Sequence, residues 1–372
     1  MEPNSLAYYR AQATFEPKQL KKVLEKYCTI ALLERTPQIE KRYSLNLSKL
    51  TSLQERITEM LRNDPTFARD WNSLSPTDYK KMNHKRWKKL VEYELIENNC
   101  VQKSNSLLQF IKAMKQVKDL MEILDTYDQG LSNRFFQSAG VFCLAILTMG
   151  TERHHELMRK CIENEIVGCF CLTELGHGSN TKDIETNCRF ENGHFVMHTP
   201  NINAIKCWAG NLSYSATHAL VYAQLYIDGD CKGLHAFCLQ IRDLDTMEPL
   251  PGITIGDMGE KAGEWNAVEN GWIKFNRHVF PLTALLNRAA DVSKEGEFIQ
   301  NIKNSQELRF KTMGTISFGR ITLVGKAALM MQLSAVIAIR YSATRKHFVA
   351  TDRIGMLVHF KLNLKMQIRI CV

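Results

Sequence analysis

The sequence predicts an α+β protein in three parts. A helical N-terminal domain spans 1–165, a compact antiparallel β domain spans 166–285, and the start of a C-terminal helical domain spans 286–372. Three observations predict this. Apolar residues recur at helical spacing through 16–165. Near residue 166 the texture changes to short apolar runs separated by turn signals. Helical spacing then returns over 304–348.

The N-terminal elements follow in order. Pro17 stands at a first-turn position ahead of Leu20, Val23, Leu24 and Tyr27. Leu50, Leu53, Ile57, Met60 and Leu61 share one helical face, and Asp64-Pro65 breaks that helix. Ser75-Pro76 reads as a cap and first residue of the next helix. Two further helical patterns, 105–124 and 135–149, complete a bundle.

In the middle part, Ile166–Leu172 is a short apolar run followed by Gly176-His177-Gly178. Asn192-Gly193 lies between 188–190 and 194–198 and is the strongest hairpin signal in the chain. The strand pattern continues through 219–227 and 236–241. Pro249-Leu250-Pro251-Gly252 is turn chemistry, and 272–275 and 278–280 read as strands. The third part places Ile316, Leu323, Val324, Ala327, Met331 and Ala335 on one broad apolar helix face. From Phe360 to Ile370 apolar and polar residues alternate strictly, which predicts a strand.

Composition narrows the function classes. With 45% hydrophobic and 23% charged residues the chain is ordinary for a globular protein, which excludes collagen, a disordered tail and a disulfide scaffold. No run of 18 apolar residues occurs, so no membrane span is expected. Met1–Arg10 is polar, so no secretory signal is expected. The odd number of cysteines, 11, then reads as reduced thiols in an intracellular compartment. The net charge of +9 is uneven: 1–165 carries 26 Lys and Arg against 21 Asp and Glu, 166–285 carries 8 against 13, and 286–372 carries 14 against 5. Zinc-finger spacing, RNP-type aromatics and long basic runs are all lacking, so nucleic acid is not an expected partner. Lys80, Lys81, Lys85, Arg86, Lys88 and Lys89 read as a solvated helix face.

Three segments carry candidate chemistry. The first, Cys171–Asn180, follows a strand, but Thr181 occupies the third glycine position of a dinucleotide fingerprint and a hairpin replaces the crossover helix. Its hydroxyls at Thr173, Ser179 and Thr181 suit a polar heterocycle or phosphate, and equally a structural loop. The second, Lys206–Asn211, sets the Trp208 indole beside Gly210. It reads as a platform for a flat ring or as a buried tryptophan at the edge of the β domain. In the third, Arg340–Phe348, Arg345 suits a diphosphate or the C-terminal end of a helix. No metal site is expected, because Cys161, Cys169 and Cys171 lack ligand spacing and His154-His155 are adjacent. A GxSxG elbow is also missing, so an esterase is not supported. His177 beside Glu174 reads as an acid–base pair or as a local hydrogen-bonding residue.

In order, the chain carries TELGHGSNT (Thr173–Thr181), KCWAGN (Lys206–Asn211), THA (Thr217–Ala219), GLHAF (Gly233–Phe237) and IRD (Ile241–Asp243). PLPGITIGDMGEKAG (Pro249–Gly263), ENG (Glu269–Gly271), LLNR (Leu285–Arg288) and IRYSATRKHF (Ile339–Phe348) follow. This succession over 166–348 resembles the peroxisomal acyl-CoA oxidase family, and the helical N-terminal part resembles it in general organisation. The resemblance implies an acyl-CoA dehydrogenase/oxidase-like fold, with FAD between the β domain and a C-terminal bundle. It implies that Thr173 hydrogen-bonds the flavin and that Gly210 offers its backbone. It further implies that Glu174, Ser179 and Trp208 line the flavin or thioester region. Arg345 would approach the FAD diphosphate of a partner subunit in a homodimer. The implied reaction belongs to fatty acid β-oxidation. A carboxylate takes the α-proton of a fatty acyl-CoA, the β-hydrogen passes to the flavin as hydride, and molecular oxygen reoxidises the flavin to give peroxide and a trans-2-enoyl-CoA.

The chain departs from the family pattern in its last part. Val349 replaces a usual glycine, the alternating tail replaces a helix, and no carboxylate follows Asp352. In the family the catalytic glutamate lies in the C-terminal bundle, so the resemblance assigns no catalytic base to this chain. Ile370-Cys371-Val372 is not an SKL-type address, which leaves a cytoplasmic location beside the peroxisome that the family implies. The expectation is a C-terminally truncated acyl-CoA oxidase with little or no activity by itself. The alternatives are a non-catalytic flavin- or acyl-CoA-binding or regulatory partner chain, or an unstable splice product.

Overall fold

The computed structural model describes residues 52–68, 74–93, 107–302, 319–320 and 322–338. The expectations for Pro17–Tyr27, for Arg345 and for the alternating tail lie outside the described residues. Residues 51–326 form one compact unit, and Met1–Leu50 with Ala327–Val372 form a second, of which 327–338 is described and is helical.

Within the first unit, helices α1 (Ser52–Asn63), α2 (Pro76–Glu92), α3 (Leu107–Tyr127) and α4 (Gln129–Phe135) come first. The Asp64 side chain accepts from Thr66 N where the α1 pattern breaks, and Ser75 accepts from Asp78 N ahead of Pro76. Both are caps legible in sequence, each worth about 1 kcal/mol. Ile57, Phe67, Trp87, Leu120, Leu124 and Leu131 form the core of this layer. The basic run on α2 is not wholly solvated. Arg86 is buried and paired with the buried Asp128 at 3.3 Å, because Thr66 and Ala68 carbonyls also draw it inward.

A π-helical stretch, Phe136–Phe142, leads into α5 (Cys143–Met149), and α6 (His155–Ile162) follows. Nine of the eleven strands among the described residues lie in two sheets. These are β1 (Gly168–Cys171), β2 (Asn187–Glu191), β3 (His194–His198), β4 (Lys206–Ala209), β5 (His218–Ile227), β6 (Asp230–Gln240), β7 (Ile253–Asp257), β8 (Gly271–Phe275) and β9 (His278–Phe280). β10 (Ala290–Val292) and β11 (Phe298–Gln300) form a separate antiparallel pair.

The expectation of an antiparallel β domain needs correcting. β4, β8 and β7 form a three-stranded antiparallel sheet, but the six-stranded sheet is mixed. β1 and β2 both run parallel to β5, on one edge of it, while β6 pairs antiparallel along the other edge. Parallel pairing needs a long connection. Here the connections hold a loop, a hairpin and a strand of the other sheet, and none of this shows in local periodicity.

β5 is the centre of the unit. Ala219, Val221, Ala223, Leu225 and Ile227 enter one core with Phe195, Phe237, Phe275 and Phe280. Leu220 and Tyr222 enter another with Phe142, Ile146, Met149 and Met158 of the covering helices. Burial on both faces explains why this strand reads as a continuous apolar run rather than an alternation. Close approach of strand and helix depends on Gly168, where a Cβ would fall 2.2 Å from Phe142 Cγ. The eight described cysteines are all free, and seven are buried. No described helix is long and apolar enough to cross a membrane.

Candidate functional site

An open cleft of about 450 Å³ lies where the helical layer meets the small sheet. Asn133 of α4 and Gln137 of the π stretch form one wall. Lys261, Ala262, Trp265 and Val268, in and around the 3₁₀ turn Gly263–Val268, form the facing wall. Trp208 and Asn270 close the end. α4 approaches that turn closely, because Gly130 lacks the Cβ that would fall 2.3 Å from Glu264 O. π-helical turns recur at functional sites, and this one carries Gln137 into the cleft.

Trp208 sits at an irregularity between β4 and β8, with φ +65°. The Asn270 amide donates to its carbonyl at 2.8 Å, and its indole is 55% exposed. An exposed indole braced in left-handed backbone offers a flat face for a ring. Gly210 stands behind the cleft wall. A Cβ there would meet Gln137 Cγ at 2.9 Å and Val268 Cγ1 at 3.1 Å.

The structure also brings Thr173 close to Trp208. Cys207 N donates to Thr173 O at 3.0 Å, so the loop after β1 lies against β4 one residue before the tryptophan. The Thr173 hydroxyl, half-buried, has no partner among the described residues. Neither does the exposed Ser179 hydroxyl further along the loop.

Glu174 is placed differently from the sequence expectation. It does not present its carboxylate to a ligand, being 2% exposed. Oε1 accepts from Lys206 Nζ at 3.0 Å, from Thr186 N at 2.9 Å and from the Thr186 hydroxyl. Oε2 accepts from Glu185 N at 3.0 Å and lies 2.9 Å from His177 Nδ1. Burial alone would raise this carboxyl. Lys206, the Thr186 hydroxyl and two backbone amides more than reverse that, and it is held below its ordinary value. Burial pulls the Lys206 ammonium down, against the attraction of Glu174. His177 is thus a local hydrogen-bonding residue, with Nε2 3.5 Å from Glu185 Oε1.

Of the six residues singled out in sequence, Trp208 and Gly210 belong to the cleft and its wall. Thr173 adjoins them, Ser179 lies along the surface loop, Glu174 is internal, and Arg345 is outside the described residues. Sequence reasoning missed Asn133, Gln137, Lys261, Trp265 and Asn270. Lys261 and Asn270 stood inside quoted motif blocks, Pro249–Gly263 and Glu269–Gly271, without being singled out, and Trp265, 51% exposed, is an aromatic residue in a polar, glycine-containing turn. Asn133 is oriented from afar: Lys326 Nζ donates to its Oδ1 at 2.6 Å and pairs with Asp125 at 2.9 Å. A hydroxyl without a partner among the described residues, an exposed indole and amide side chains suit a flat polar heterocycle such as a flavin.

The chain is 41% identical over 340 residues to acyl-coenzyme A oxidase acox-3 of Caenorhabditis elegans, covering 91% of this chain and 46% of that protein. It is 38% identical to human peroxisomal acyl-coenzyme A oxidase 3, covering 80% of this chain and 42% of that protein. Its fold matches acyl-CoA oxidase-2 of Caenorhabditis elegans, solved bound with FAD, ascaroside-CoA and ATP. That match has a TM-score of 0.67 and 26% identity, over 81% of this chain and 43% of that one. No family model matches the chain. The chain spans less than half the length of these relatives. By sequence and by fold, it is similar to somewhat under half of an acyl-CoA oxidase.

Proposed function

We propose that this chain is the flavin- and thioester-facing part of an FAD-dependent fatty acyl-CoA oxidase acting in peroxisomal fatty acid β-oxidation. The observation that carries the reading is the placement of the Thr173 hydroxyl and the Trp208 indole on adjoining segments, joined by the Cys207–Thr173 backbone bond beside an open cleft. Thr173 and Ser179 would donate to the polar groups of the cofactor. Trp208 would flank its ring, and Gly210 keeps the wall behind it thin. Arg345 would meet the FAD diphosphate of a partner subunit in a homodimer. When bound, FAD supplies the acceptor for the β-hydrogen of the acyl-CoA, and molecular oxygen is the final oxidant. The described cleft lining is amide, indole, lysine and aliphatic, with no carboxylate among it. The group that takes the α-proton therefore stands outside this lining.

The test is an FAD titration of the purified chain, followed by flavin absorbance and tryptophan emission. Saturable binding that quenches emission is expected, with the quenching reduced in Trp208→Phe. Acyl-CoA added anaerobically should then perturb the flavin spectrum. A chain that shows no saturable binding of either FAD or acyl-CoA refutes the proposal.

A further inference from the structure

We infer that Lys206 and Glu174 are positioning residues: their buried ion pair clips the loop 173–177 onto the segment 203–207 and so holds Thr173 and Trp208 in register. For its ligand the inference rests on the flavin reading above; for the clip it rests on contacts alone.

Lys206 reaches both sides of Thr173. Its Nζ donates to Leu172 O at 3.0 Å and pairs with Glu174 Oε1 at 3.0 Å. One ammonium therefore grips the residues immediately before and after the threonine, from a strand position two residues before the tryptophan. Backbone bonds complete the clip. Leu175 N donates to Ile205 O at 3.0 Å, Gly176 N to Asn203 O at 2.9 Å and Cys207 N to Thr173 O at 3.0 Å. The two segments lie so close that a Cβ on Gly176 would fall 2.8 Å from Asn203 Cβ. Glu174 also reaches the start of β2 through Glu185 N and Thr186 N.

Stability is a poor explanation for such a pair. Both side chains are fully buried. Taking two charges out of water costs about what their attraction returns, and apolar residues of similar shape often serve as well or better. What an apolar pair lacks is direction. An ammonium bonded to one carbonyl and one carboxylate sets a distance and a register along the chain. Neither side chain lines the cleft, so any effect on a ligand there must pass through the placement of Thr173 and Trp208.

The test compares Lys206→Met, Glu174→Gln and the double variant Glu174→Gln/Lys206→Met in the full 372-residue chain. Hydrogen exchange is read without any ligand. In each single variant the amides of Leu175, Gly176 and Cys207 should exchange at least about tenfold faster, because one buried charge is left without its partner. The amides of β5 and β6 should keep their protection. The double variant removes both charges, so its melting temperature should recover toward the parent while the loop amides stay fast. FAD affinity should fall at least about tenfold in the double variant as well, the result that separates positioning from stability. Loop protection equal to the parent in the double variant overturns the inference, as does unchanged FAD affinity there. If a single variant does not fold, the double variant decides. If the parent binds no FAD, the flavin reading fails, and the exchange measurement by itself decides the clip.

Discussion

Replacing Glu269 by glutamine should destabilise the protein more than any surface change, and the reason lies in where its partner sits. Arg134 of α4 is fully buried, with Nη1 2.8 Å from Glu269 Oε1. Its Nη2 donates to Ser215 Oγ and lies 3.0 Å from His84 Nδ1, and Ser215 donates to Glu269 Oε2 at 2.5 Å. The guanidinium lies 4.9 Å from the Trp87 ring centre. Burial pulls Arg134 below its ordinary value, and Glu269 opposes that pull. Losing the carboxylate leaves a buried cation facing a neutral amide, at a cost of about 3–5 kcal/mol. At roughly 2–4 °C per kcal/mol, the melting temperature should fall by roughly 6–20 °C. Arg134→Met should cost a similar amount. The double variant Arg134→Met/Glu269→Gln should cost clearly less than the sum, with a coupling of at least about 2 kcal/mol. Thermal melts and urea titrations followed by circular dichroism measure all three. Single costs below about 1 kcal/mol that add within about 0.5 kcal/mol would refute the reasoning. The consequence reaches the cleft, because Asn133 neighbours Arg134, while Val268 and Asn270 flank Glu269.

Two other outcomes follow from the same kind of accounting. Burial, with Lys160 nearby, holds His218 at about 4, so the folded state keeps it neutral while the unfolded chain takes up a proton below its ordinary value near 6.5. Its contribution is complete above about pH 6.5 and is lost as the pH falls toward 4, about 3 kcal/mol over that window. Buried His154, His235 and His278 are pushed the same way. Urea midpoints should therefore drop steeply between pH 7 and 5 and flatten in His218→Gln, whereas a pH-independent midpoint contradicts this. Gly168→Ala sets a methyl against the Phe142 ring and should cost about 1–3 kcal/mol in the same titrations, partly restored by Phe142→Leu; a neutral effect would show that the ring has room to move.

Much of this fold was written in local signals. Asp64-Pro65, Ser75-Pro76 and Asn192-Gly193 act on backbone within a few residues of themselves, and each stands where it was expected. β4 and β7 were less legible. One was read as a ligand motif and the other was hidden behind the turn at Pro249–Gly252, because each is short and owes its strand form to β8 between them. Glu174 marks the limit at the site. A carboxylate in a loop reads the same in sequence whether it faces a ligand or a lysine 32 residues away.

The sequence by itself determined the order of helical and strand-forming regions, the hairpin and the caps, since these depend on periodicity and on backbone preferences within a few residues. It also carried the succession of motifs that ties the chain to its relatives. Only the tertiary structure decided that β1 and β2 share one edge of β5 in parallel, that Arg86 and Arg134 are internal ions, and that Lys206 turns Glu174 inward. Those facts depend on which distant groups meet once water is excluded. A charge takes its role from its partner and its burial, and neither is a property of neighbouring residues along the chain.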